Sequence, residues 1–166
     1  MGTDAARQLA SGAEGDRKAT LHLIIALGRA LQALERAVRP HLAQFGLGMT
    51  EFAVLEVLLH KGTLPLGEIR DRILVTGAST TYVVKKLEAR GLVRRKECAE
   101  DERKALGELT PKGRKLIQDV FPAHVEQLRR LMGGLSTSEK DEACRLLRRL
   151  GQHARKTTGD RITEED

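Results

Sequence analysis

Between Gly67 and Leu109 the chain runs short helix, glycine turn, short helix, strand, polar loop, strand, and no other stretch restricts its fold as strongly. Gly67 to Leu74 carries Ile69 and Ile73 one helical turn apart. After the turn Val75-Thr76-Gly77, the segment Ala78 to Arg90 places Thr80, Val84 and Leu87 on one face, and Gly91 supplies the C-terminal stop. Two short helices about a tight glycine-containing turn make a helix-turn-helix. Leu92 to Lys96 and Ala105 to Leu109 read as two short strands around the polar stretch Glu97 to Lys104, which would form a wing.

Longer amphipathic helices flank this lobe. Leu27, Leu31, Leu34, Val38 and Leu42 follow helical spacing, with Pro40 expected to bend or break the helix near its end. Thr50 can cap a second helix through Phe52, Leu55, Val57, Leu58 and Leu59 that stops near Gly62; being apolar on more than one face, it should be central. Thr63-Leu64-Pro65-Leu66 is too short and broken for a helix. Thr110-Pro111 pairs a cap with a proline at the first helical position, and the helix it starts runs through Leu116, Val120, Val125 and Leu128, with a kink expected at Pro122. Ser136 to Glu139 spells a capping box ahead of a last helix through Leu146, Leu147 and Leu150. Met1 to Arg17 lacks helical apolar periodicity, so residues 1–19 are expected to be an unstructured arm and 157–166 an unstructured tail. The expected whole is one unit, mainly α with a small β wing. A winged helix-turn-helix lobe spans about 50–110 within a domain at 20–156, flanked by dimerisation helices at about 20–45 and 111–156.

Charge singles out the same lobe. From Lys85 to Lys96 there are six basic residues, Lys85, Lys86, Arg90, Arg94, Arg95 and Lys96, against the acid Glu88. With Thr80, Val84 and Leu87 inward, helical geometry turns Thr81, Tyr82 and Lys85 outward with Ser79 and Lys86 on the flanks. Small hydroxyls can bond base edges or phosphates, and lysines add salt-dependent phosphate attraction. In the wing, Arg103 suits a narrow minor groove, with Asp101 and Lys104 beside it. The candidate DNA-binding set is therefore Ser79, Thr81, Tyr82, Lys85, Lys86, Arg94, Arg95, Asp101, Arg103 and Lys104.

Composition excludes other classes. The formal net charge of +6 suits a polyanionic partner. Aromatic residues make up only 2%, so core and interfaces must be aliphatic. Cys98 and Cys144 form no disulfide framework or C-x-x-C pair, which suits a reducing cytoplasm, and Cys144 is expected to be a buried structural thiol. No apolar run is long enough to span a bilayer, and no signal segment opens the chain. His22, His41, His60, His124 and His153 lack metal or triad spacing and read as surface or interface residues; neither catalysis nor a cofactor is expected.

The sequence resembles the MarR family of winged-helix regulators from about Leu23 to Leu150. Three stretches carry the resemblance: Thr50 to Leu59, Lys86-Leu87-Glu88-Ala89-Arg90-Gly91-Leu92-Val93, and Asp101-Glu102-Arg103 through Leu109-Thr110-Pro111-Lys112-Gly113. The family pattern of an aspartate, an arginine two residues later and then Leu-Thr is met by Asp101, Arg103, Leu109 and Thr110. It departs at Gly107, where the family places a β-branched residue, implying a shorter or more mobile wing. The resemblance implies a homodimer whose terminal helices interlock while two lobes read a pseudo-palindromic double-stranded operator. It also implies a repressor released by a small aromatic or anionic ligand. Oxidation-sensing relatives use a first-helix cysteine, which this chain lacks. The rival reading is a winged-helix module for protein-protein contact, which has no need of six positive charges around a groove-sized helix.

Overall fold

The computed structural model describes the backbone of residues 2–73, 80–98 and 101–159, and their side chains from Glu14 onward except at 97, 98 and 101–104. Nine elements follow in order among these residues: α1 Gly2–Ala43, α2 Met49–Lys61, β1 Leu64–Pro65, α3 Leu66–Arg72, α4 Thr80–Ala89, β2 Val93–Cys98, β3 Asp101–Leu109, α5 Pro111–Leu131 and α6 Thr137–Thr158. Where one structural unit was expected, packing divides the chain into Met1–Pro40 and His41–Asp166.

The first unit is α1 up to Pro40. Helix begins at Gly2, where an unstructured arm was expected. Ala5, Ala6, Arg7, Gln8, Leu9 and Ala10 are strong helix formers, and propensity sustains a helix that has no apolar periodicity. Leu21, Leu23, Ile24, Ile25 and Leu31 are exposed. Pro40 does not end the helix, which continues to Ala43.

The second unit holds the lobe. α2 is its centre, burying Glu51, Phe52, Val54, Leu55 and Leu58 while packing against α3, α4, α5 and β3. Its cap is not Thr50 but Gly48, whose N–H donates to the Glu51 carboxylate at 2.8 Å. α3 buries Ile69, and Ile73 lies just past its end. Gly91, at φ 68, turns the chain out of α4 into β2. Thr110 caps α5 by accepting the Gly113 N–H at 3.0 Å, with Pro111 in the first turn, and α5 runs on through Pro122. Ser136 and Glu139 form the predicted capping box of α6, which extends to Thr158, past the expected start of a tail; residues 160–166 lie outside the described set.

The wing is more regular than its sequence suggests. Its sheet has three antiparallel strands in the order β1-β3-β2, so Leu64–Pro65 is a strand rather than a connection. Asp101 to Lys104, expected in a polar loop, have strand backbone. Cross-strand hydrogen bonds satisfy polar residues as readily as apolar ones, so polarity alone did not mark the loop. Gly107 pairs with Leu64 on one side and Arg95 on the other. A Cβ there would lie 2.9 Å from Ile69 Cδ1, so Gly107 marks close packing of the sheet on α3, not a shortened wing.

Candidate nucleic-acid interface

Helix α4 presents a sharply divided surface. Thr80, Val83, Val84 and Leu87 are buried, Val83 in addition to the predicted face. Thr81, Tyr82, Lys85, Lys86 and Ala89 are exposed, Tyr82 with 68% of its surface open to solvent. An exposed row of hydroxyl, phenol and ammonium groups on a rigidly seated helix can enter a DNA groove. Ser79 and the turn Val75-Thr76-Gly77 lie outside the described residues. So do the side chains of Asp101, Arg103, Lys104 and Cys98, though their backbone lies in β3 and β2.

The basic run is far less free than its sequence suggests. Glu51, from the start of α2, lies 3.0 Å from Arg90 Nη1 and 3.4 Å from Lys86 Nζ, with its side chain 7% exposed. Burial pushes its carboxyl up, but the Gly48 amide, Lys86 and Arg90 together outweigh burial and hold it below the usual carboxylate range. Glu108 on β3 takes Arg94 at 2.8 Å and Lys96 at 2.7 Å. These two hydrogen bonds draw its carboxyl down to about 2. Glu88 lies 3.1 Å from Arg95 Nε and accepts the Arg95 backbone N–H at 3.2 Å, while Arg95 Nη2 reaches the Thr81 carbonyl at 3.5 Å. Arg95 thus ties the wing strand β2 to both ends of α4. Of the six cations, Lys85 alone has no ion-pair partner among the described residues. Sequence reasoning missed Glu51 and Glu108 because the acids come from other elements; Glu51 and Arg90 are 39 residues apart.

Two further features differ from expectation. His124 is buried, its ring 4.3 Å from that of Phe52 and 6.2 Å from that of His41. Burial, and then His41, lower its pKa, so the neutral form is favoured. Helical spacing could have placed His124 on the buried face of α5, four residues past Val120. Cys144, expected to be buried, is exposed on α6, a helix that buries no residue at all. A cavity of about 320 Å³ is lined by Phe45, Leu92 and Leu116 together with Arg90, Lys112, Lys115 and Asp119. Among the described residues no helix is long and apolar enough to cross a membrane, and no three His, Cys, Asp or Glu side chains converge as metal ligands.

A short helix presenting polar groups outward, tied by Arg95 to a β-ribbon, is the architecture of a winged helix-turn-helix protein. Residues 45–104 match the model of the MarR family. The transcriptional regulator MhqR of Bacillus subtilis strain 168 is 40% identical over 82% of this chain and 94% of its own. The solved structure of Bordetella bronchiseptica BpsR superposes with a TM-score of 0.71 at 27% identity, covering 78% of this chain and 98% of that one. Sco3205 of Streptomyces coelicolor, solved with DNA, shares the fold at a TM-score of 0.72 and 22% identity over 80% of this chain and 86% of that one. The chain belongs to the MarR family and is a DNA-binding transcriptional regulator.

Proposed function

We propose that the protein is a cytoplasmic homodimeric repressor that holds a pseudo-palindromic double-stranded operator and releases it on binding a small aromatic or anionic ligand. The observation that carries the reading is α6: twenty-two residues, none buried, with Leu146, Leu147 and Leu150 exposed as an apolar stripe. An amphipathic helix with a wet apolar face gains by covering it, at about 25 cal/mol per Å² of apolar area removed from water. A second copy is the occupant proposed for this stripe and for the exposed apolar residues of α1. Each lobe would then read one half-site, with Thr81 and Tyr82 on base edges, Lys85 on phosphate, Ser79 at the approach of the helix, and Arg103 in the minor groove held by Asp101 with Lys104 nearby.

Ligand control rests on two supports. DNA binding by BpsR is regulated by 6-hydroxynicotinic acid. The cavity beside α5 pairs apolar walls with three cations against the one acid Asp119, which holds Lys115 at 3.1 Å, a net positive lining suited to an aromatic acid. The test uses light scattering and fluorescence anisotropy on the full chain. The wild type should run as a dimer, bind a duplex enriched from a random pool, and release it on addition of 6-hydroxynicotinic acid or a related aromatic acid. The double variant Leu147→Glu, Leu150→Glu should run as a monomer with weakened binding. A variant that stays dimeric would place the interface elsewhere, and DNA binding indifferent to all such acids would remove the ligand reading.

A further inference from the structure

We propose that Glu51 and Glu108 are specificity-determining residues of the DNA-binding surface, each holding two cations of the reading elements away from the phosphate backbone. The inference rests on α4 and the wing facing DNA. Phosphate attraction is blind to sequence: every cation that reaches a phosphate strengthens random and operator DNA alike, and only base contacts separate the two. A reading lobe with six free cations would bind any duplex tightly and discriminate poorly.

The geometry sets a carboxylate against four of those six cations. Glu51 engages Lys86 and Arg90 from the buried start of α2, and its carboxylate is itself fixed by the Gly48 amide. Glu108, on the central strand β3, engages Arg94 and Lys96 of the edge strand β2, Arg94 being its direct cross-strand partner. To reach a phosphate, any of these cations must first leave a carboxylate placed against it, and the carboxylate itself repels the DNA. Lys85, with no such partner, remains to make the phosphate contact of α4. Glu126 serves as an internal comparison: it holds Arg129 at 2.7 Å and Arg130 at 3.0 Å in the same manner, but on α5, away from the reading elements.

The experiment measures full-length protein by anisotropy on two duplexes, one enriched from a random pool by the wild type and one scrambled, across a salt series. Glu108→Gln keeps the size of the side chain and removes its charge. It should tighten scrambled DNA about tenfold at low salt and steepen the salt dependence by about one to two units, one for each cation freed. The ratio of enriched to scrambled affinity should fall. Glu51→Gln should act in the same direction, whereas Glu108→Asp should restore the wild-type slope and Glu126→Gln should leave it unchanged. A Glu108→Gln slope equal to the wild type, or a change matched by Glu126→Gln, overturns the proposal. The Glu108 variant, at a half-buried position on the sheet, keeps the question open to test even if the buried Glu51 variant does not fold.

Discussion

Gly113 lies directly against the carbonyl of Leu92, so that any Cβ on it would overlap that group. The contact joins the first turn of α5 to the entrance of β2, where Thr110 also donates its hydroxyl to the Gly91 carbonyl at 2.7 Å. The root of the wing and the start of α5 are thereby fixed as one piece. Gly113→Ala should force backbone apart and cost about 1–3 kcal/mol or more of stability, read as a lower urea midpoint with unchanged slope. An unaltered midpoint would mean that the junction yields freely.

Gly107 makes a milder version of the same prediction. A β-branched residue there would press on Ile69 Cδ1, the end of a flexible side chain, and on Leu66 at 3.4 Å. Gly107→Val should therefore destabilise less than Gly113→Ala in the same urea series, since side chains shift more easily than backbone. The reverse order would contradict the packing described for the sheet on α3.

What the sequence disclosed and what it concealed divide by distance along the chain. The caps Thr110-Pro111 and Ser136 to Glu139 are local devices, with donor and acceptor three residues apart, and they stand where the pattern placed them. The exposed face of α4 was legible for the same reason, because helical spacing alone turns Thr81, Tyr82 and Lys85 away from Leu87. The partners of the basic run were not, because Glu51 reaches Arg90 from another helix. β1, two residues long, carries no periodicity to detect, and only its pairing to Leu106 and Gly107 makes it a strand.

His124 predicts how stability should vary with pH. Its folded pKa is depressed below 6.5 by burial and by His41, so the folded state binds fewer protons than the unfolded chain at mildly acidic pH. The neutral ring's contribution is complete above 6.5 and is lost as pH falls through the lowered value. Thermal midpoints should drop over that range in the wild type. His124→Phe, which keeps an aromatic ring against Phe52, should flatten the drop; a variant losing stability in parallel with the wild type would assign the effect to other groups.

Redox insensitivity is also expected. Cys144 is exposed on α6, distant in sequence from the reading helix, and α1 holds no cysteine. Mild peroxide should leave DNA affinity unchanged in anisotropy. If peroxide abolishes binding and Cys98→Ser restores it, the wing thiol is a sensor.

The central claim, that α4 reads bases while Lys85 and Arg103 supply charge, is tested most directly by titrating Thr81→Ala, Tyr82→Ala, Lys85→Ala and Arg103→Ala against enriched and scrambled duplexes at several salt concentrations. Thr81→Ala and Tyr82→Ala should each cut discrimination by about 1–3 kcal/mol per lost base contact with little change in salt slope. Lys85→Ala and Arg103→Ala should instead weaken both duplexes and reduce the slope by about one unit each, with preference largely retained. Wild-type affinity, slope and discrimination in all four variants would contradict the assignment of this face to DNA.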